Sequence, residues 1–243
     1  MTILEEVREK WLELIQKRKI DAKTAAVHVT ARTLTPEEAI GNPERLDYLL
    51  FLGKEVMIEA QFGDAKGHAF TDMPGNYEGT LQEVMELPLK NSFERAVFIA
   101  CLNAFMKSLG LIKGSVHCRD DQPLKCALQL ADYIRSHYGM VKVAFVGLQP
   151  GLIQALTEAG FEIRASDLNP DNVGKVKCGT TILPASTNRE NAQWADVVIA
   201  TGSTFVNDSY QEFSVGKPIL YFGVTVSGIA EFFGLQRYCP CGN

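Results

Sequence analysis

Val141-Lys142-Val143-Ala144-Phe145-Val146-Gly147 decides the fold. It is a nearly continuous apolar run closed by a glycine, the pattern of a strand buried on both faces of a parallel sheet. Downstream, apolar strands and helical stretches alternate. Gly151 to Ala159 reads as a helix, and Phe161 to Ser166 as the next strand, ending at Asp167. Thr180 to Leu183 is a weaker third strand. Asp196-Val197-Val198-Ile199-Ala200 is a strong fourth, with a helix expected from about Ser203 to Phe213. Pro218 to Phe222 is the fifth, with a helix expected from about Thr225 to Phe233. The alternation predicts a doubly wound parallel sheet. In strand order 3-2-1-4-5, the first and fourth strands flank the switch point where open α/β sheets bind ligands.

Upstream of Val141 the pattern is of α+β type. Thr2-x-x-Glu5 is a capping box, and Leu4, Val7, Trp11, Leu14 and Ile15 recur at helical spacing. Thr24 to Arg32 alternates as a half-buried strand, with Val27, Val29 and Ala31 on one face and His28, Thr30 and Arg32 on the other. Thr35-Pro36-Glu37-Glu38 starts a short helix. Glu55 to Phe62 alternates again, with Val56, Ile58, Ala60 and Phe62 on one face, and a hairpin at Gly63-Asp64 returns through His68 to Thr71. Residues 72–76 read as loop, with a short helix over about Thr80 to Met85. Asn91-x-x-Glu94 caps a helix ended by Gly110, and Asp120-Asp121 with Pro123 opens one ended by Gly139. That last helix carries Leu124, Leu128, Ala131 and Ile134 on one side and Cys126, Leu130 and Tyr133 on the other. The pattern predicts a helix held between two layers. The expected division is an α+β domain over residues 1–90 and an α/β domain over residues 91–243.

Composition excludes several classes. The chain has 243 residues, 46% hydrophobic and 22% charged, with a net charge of −5. Its one dense basic run, Lys17-Arg18-Lys19, falls at a helix end, where cations suit the dipole. No nucleic-acid partner and no membrane partner is expected. The longest uncharged stretch, Val143 to Thr157, is broken by Gly147, Pro150 and Gly151, and the first ten residues are too charged for a signal peptide. The expected location is cytoplasmic, with the six cysteines reduced.

Two βα turns carry the candidate chemistry. The first is Gly147-Leu148-Gln149-Pro150-Gly151, with Asp167 twenty residues after Gly147. An acidic residue there suits a ribose hydroxyl. The turn lacks the G-x-G-x-x-G spacing, however, and Pro150 removes an N–H that a phosphate would need. Weak NAD binding or none is predicted, and the plainer and favoured reading is that Asp167 caps its own loop. The second is Thr201-Gly202-Ser203-Thr204 with Asn207. Hydroxyls and a glycine at a helix start offer donors to an anion or polar ligand edge, while ordinary N-capping is the plainer reading. Gly202 is expected to let the ligand approach the backbone. Gly202→Val should then abolish binding with the fold largely intact. Asn207 would bond the ligand or brace the loop.

No C-x-x-C pair is present. Cys239 and Cys241 could share a soft metal but do not complete a site. Cys101, Cys126 and Cys178 read as packing residues, and His28 and His68 as structural. Cys118 is open between packing and chemistry, since His117, Arg119 and Asp120 crowd it with ionisable groups.

Several phrases together carry a family resemblance. They are Gly53-Lys54-Glu55-Val56, Ala69-Phe70-Thr71-Asp72, Asn103-Ala104, His117-Cys118 with Cys126, and Val146-Gly147 through Pro150. Asp167-Leu168-Asn169-Pro170, Thr201-Gly202-Ser203-Thr204 with Val206-Asn207, and Cys239-Pro240 complete the set. The chain resembles an uncharacterised prokaryotic family named for heavy-metal chelation. The resemblance implies an α/β fold, with an enolase N-terminal-like α+β domain followed by a Rossmann-like domain. It implies no enolase active site.

The combined expectation is a small-ligand-binding protein. Its ligand, a small molecule, a heavy metal or a metal chelate, lies in the interdomain cleft. The ligand residues are Gly147, Pro150, Asp167, Asn169, Thr201, Gly202, Ser203, Thr204 and Asn207, with His117, Cys118 and Cys239 for metal. The alternative is an enzyme using a nucleotide or S-adenosylmethionine at the switch point, with Asp167 on the ribose. A scaffold for protein interaction is the third reading, and the sequence leaves catalysis, cofactor and homo-oligomer formation open.

Overall fold

The computed structural model describes residues 2–23, 28–48, 50–53 and 55–243, with the backbone alone at 28–30. Expectations for Val27 and Lys54, and for the side chains of His28, Val29 and Thr30, lie outside the described residues.

The first part is an antiparallel sheet. β1 (His28–Leu34), β2 (Val56–Phe62), β3 (Ala65–Thr71) and β4 (Asn76–Thr80) lie in the order β3-β2-β1-β4. α1 (Ile3–Lys17) starts at the capping box of Thr2 and Glu5 and buries Leu4, Val7, Trp11 and Ile15. α2 (Pro36–Ile40) and α3 (Leu81–Met85) are short and are capped by Thr35 and Thr80. α4 (Ser92–Ser108) is buried almost all round. It packs so tightly on β3 that a Cβ at Gly67 would come within 2.4 Å of the Ala100 carbonyl oxygen. Trp11 of α1 meets Phe98 and Phe105 of α4 at ring-centroid distances of 5.3 and 5.6 Å.

The second part is a seven-stranded, mainly parallel sheet. α5 (Gln122–Tyr138) leads into β5 (Lys142–Val146), α6 (Pro150–Glu158) and β6 (Glu162–Asp167). β7 (Val176–Lys177), β8 (Thr180–Pro184), α7 (Asn188–Trp194) and β9 (Val197–Thr201) follow. β10 (Ile219–Phe222), α8 (Ser227–Phe233) and β11 (Arg237–Tyr238) complete the chain. The order is β11-β10-β9-β5-β6-β8-β7, parallel except for β7 against β8. Reading β5, β6, β8, β9 and β10 as strands one to five gives 3-2-1-4-5, as the sequence predicts. α5 and α6 pack on one face, through Leu130, Ile134, Leu152 and Leu156. The other face meets α4, α7 and α8 in a core that also joins the antiparallel sheet.

Several expectations fail for local reasons. The helix from Ser203 to Phe213 is a four-residue 3-10 turn, Gly202–Phe205, followed by irregular turns. Asp208 takes a positive φ of 63°, and the Asn207 side chain accepts hydrogen bonds from the Ser209 amide and hydroxyl. Local side-chain bonding of this kind competes with the helix ladder. α5 is not held between two layers. Leu128 is 60% exposed while Ala127, Leu130 and Ile134 are buried, so one flank packs and the other meets solvent. Residues 76–80, Asn-Tyr-Glu-Gly-Thr, form edge strand β4 beside β1 although no apolar alternation marks them. β2 buries Met57 as well as Ile58 and Ala60, because a second cluster of Leu34, Ile40, Tyr48 and Leu50 covers its other face.

Candidate functional site

The C-terminal ends of β5, β6, β9 and β10 face the end of the antiparallel sheet where β3 finishes. Between them lies a cleft of two adjoining lobes. One is lined largely by apolar groups, including Tyr48, Phe70, Leu148, Leu152, Phe222 and Tyr238. It admits about 130 Å³ of water. The other admits about 320 Å³ and is more polar, with Asp72, Asn169, Asn188, Thr204, Asn207 and Ser209. Glu55, Phe70, Gly147, Asp167, Thr201 and Ser203 line both. One buried water needs roughly 10–15 Å³ on such a scale, so the cleft has room for a small organic molecule.

Gly147 turns the chain out of β5 with φ +91°, a conformation natural to glycine. A Cβ there would sit 2.6 Å from Thr201 Cγ2, so the two βα turns are in mutual contact. Pro150 occupies the first turn of α6, where its missing N–H costs nothing. Several amides around this turn are occupied. Leu148 N donates to Asp167 Oδ2 at 2.8 Å, and Leu152 N to Gln149 Oε1 at 2.5 Å. Asp167 Oδ1 accepts from Asn169 N at 2.9 Å and Asn172 Nδ2 at 3.0 Å. Buried Asp167 therefore clamps its own loop, the plainer of the two sequence readings.

The second turn is similarly knit. Thr201 Oγ1 donates to Ser203 Oγ at 3.2 Å and accepts from Ser203 N at 3.3 Å, and Thr204 Oγ1 donates to Thr201 O at 2.8 Å. Thr201 keeps partial exposure at the cleft, whereas Thr204 is buried. With only a 3-10 turn behind it, the site lacks the helix dipole expected to draw an anion. Asn207 braces the loop through Ser209.

Gly202 corrects an expectation. Its missing Cβ faces the protein interior, 2.8 Å from Val226 N and 3.0 Å from Val226 Cβ, and the residue lines neither lobe. The close approach it permits is between two loops of the protein. Gly202→Val is accordingly expected to destabilise the fold by about 2 kcal/mol or more through overpacking. A lowered urea midpoint would show this; an unchanged midpoint would restore the expectation of an open loop.

His117, Cys118 and Cys239 come together along the apolar lobe, beside Cys126. His117 N donates to His68 Nδ1 at 3.2 Å, which leaves the His68 Nε2 proton for Glu59 Oε2 at 3.0 Å. Thus His68, structural as expected, pins the cleft-lining segment to β2. Burial pushes His117 down to about 4, so its ring is neutral. Burial, then Cys239 and Cys241, pushes Cys118 up to about 12, so it is a thiol. Burial raises Cys126 and Cys239 likewise. These are packing-type thiols rather than activated nucleophiles. Among the described residues, no group of three or more His, Cys, Asp or Glu side chains is arranged to hold a metal ion. A closed three- or four-ligand site of the zinc type is therefore not formed by His117, Cys118 and Cys239 as they stand.

Glu55 and Asp72 are cleft residues absent from the candidate set. β2 and β3 pair up to Val56↔Thr71, and one further step of that register sets Glu55 opposite Asp72. Burial, then Asp167 and Asp72, pushes Glu55 up to about 7. The available signal was the phase of β2: Glu55 alternates with Met57 and Glu59, away from the face of Ile58 and Ala60.

The DUF364 family model, described as "Putative heavy-metal chelation", matches residues 129–233. A search of the curated proteins finds no match. The chain is similar to a solved DUF364-family protein of unknown function from Pyrococcus horikoshii. The two share 16% identity at a TM-score of 0.53, over 92% of this chain and 79% of that one. A DUF364-family protein of unknown function from Desulfitobacterium hafniense DCB-2 aligns at 14% identity and a TM-score of 0.48, over 74% of each chain. The first of these is a likeness of fold. No helix among the described residues is long and apolar enough to cross a membrane.

Proposed function

We propose, from the cleft and from the likeness of residues 129–233 to a family named for heavy-metal chelation, that the protein binds a small organic molecule between its two sheets. A metal would arrive inside that molecule, as a chelate. The observation that carries this reading is the joined pair of lobes, one apolar and one polar, meeting at Glu55, Gly147, Asp167, Thr201 and Ser203. An apolar body fixed by a few polar groups is the usual design of such sites. Pro150 and Asn169 belong to the same walls, and Thr204 and Asn207 hold the second turn in shape. The division near residue 90 into an enolase N-terminal-like and a Rossmann-like unit is part of the proposal, with α4 as the shared layer.

Ligand binding to the folded state raises its stability. The small-molecule filtrate of heat-treated bacterial cells is therefore expected to raise the melting temperature of the wild type. It should leave Ser203→Phe, which fills the junction of the lobes, where it was. No shift in the wild type, or equal shifts in both, would count against the reading.

A further inference from the structure

We infer that the ligand presents a cationic nitrogen group, of amine or amidinium type, to Glu55, with its apolar body in the neighbouring lobe. The inference rests on the cleft reading above and adds the charge of the ligand. Its first support is the composition of the walls. Glu55, Asp72 and Asp167 line the cleft, and among the described residues neither lobe is lined by a lysine or arginine. The histidine that does line it, His117, is held neutral by burial.

The second support is the state of Glu55 itself. Asp167 has three hydrogen-bond donors, Asn169 N and Asn172 Nδ2 of its own loop and Leu148 N of the β5–α6 turn. Among the described residues no donor and no cation pairs with the Glu55 carboxyl, which borders both lobes at their junction. A desolvated carboxyl beside two other acids is destabilised as an anion. Such a group is satisfied by a proton in the empty cleft and by a cationic donor in the filled one. A negatively charged ligand would meet three acidic groups and, among the described residues, no compensating cation. Among the described residues, a lone metal ion would find no group of three or more His, Cys, Asp or Glu side chains set to hold it. A nitrogen cation can make a charge-assisted hydrogen bond to Glu55 and turn its other N–H groups toward the polar lobe, while the apolar wall of Tyr48, Phe70 and Tyr238 takes its body.

Exchange of the Glu55 proton for the cation makes binding pH-dependent. The groups facing Glu55 are Asp167 on β6 and Asp72 after β3. Affinity should rise with pH through about 7 as Glu55 gives up its proton.

The test uses the full chain and three flat probes of one shape: benzamidine as the cation, benzamide as the neutral form and benzoate as the anion. Binding is followed by amide NMR shifts at Gly147, Thr201 and Ser203. Benzamidine is expected to bind at least about tenfold more tightly than either other probe. It should bind more tightly at pH 8 than at pH 5.5, and lose about tenfold in Glu55→Gln. Glu55→Gln replaces a carboxyl that pairs with no donor among the described residues, so it should stay folded, and its spectrum reports this directly. Benzoate or benzamide matching benzamidine at those amides would leave the cleft reading standing and overturn the charge. Absence of benzamidine binding, or binding unaffected in Glu55→Gln, would also overturn it.

Discussion

Asn103→Leu is expected to lower stability by about 3 kcal/mol, since it strands buried polar groups without a partner. Asn103 sits in α4 with no exposure. Its Nδ2 donates to the carbonyls of His68, Val224 and Thr225 at 3.0, 3.1 and 3.1 Å, and its Oδ1 accepts from Gly228 N at 2.8 Å. One side chain thus ties α4 to β3 and to the β10–α8 loop, which are the two walls of the cleft. The Val224 carbonyl would keep its bond from Ser227 Oγ, whereas the Gly228 amide would lose its side-chain acceptor. Leucine has similar bulk, so the loss isolates hydrogen bonding from cavity formation. Urea unfolding with an unchanged slope would measure it. A loss below about 1 kcal/mol, the size of an ordinary exposed hydrogen bond, would show that the walls are joined by packing instead.

Glu55→Gln is expected to make the protein more stable than wild type above pH 7, by on the order of 2–3 kcal/mol. The sign follows from proton counting. Glu55 is pushed up to about 7 in the folded protein, from 4.5 in the unfolded chain. Between those values the native state holds a proton that the unfolded state has lost, so stability falls as pH rises. The stabilising contribution is complete below 4.5 and gone above about 7. Half-buried His117, pushed down to about 4 by desolvation, slopes the opposite way between pH 4 and 6.5, and so the wild-type profile alone mixes the two. The difference between wild type and Glu55→Gln separates them. It should grow from pH 5 to pH 8 in urea titrations, and a difference flat across that range would contradict the desolvation of half-buried Glu55.

The parallel sheet was legible because its strands carry their own signal. Val143 to Val146 and Val197 to Ala200 are apolar throughout, as two-sided burial demands. β4, β7 and β11 were not legible. They are edge or near-edge segments, such as Val176–Lys177 and Arg237–Tyr238, whose pairing comes from neighbours rather than from periodicity. The lining of the cleft was legible on one wall only. Gly147, Asp167, Thr201 and Ser203 follow from the rule that open α/β sheets bind at the switch point. Glu55 and Asp72 come from the facing antiparallel sheet, and their meeting depends on how the two sheets dock through α4. Gly202 carried the right signal for the wrong contact. A glycine marks close approach, and the sequence does not say whether a ligand or the protein's own Val226 approaches.

Native mass spectrometry of the freshly purified chain, with elemental analysis of the same sample, decides whether the cleft holds an organic ligand. A bound adduct of small-molecule mass is expected in the wild type and none in Ser203→Phe. Any metal present should be stoichiometric with that adduct and leave with it. A bare metal ion bound one to one without an organic adduct, or an adduct retained undiminished by Ser203→Phe, would contradict it.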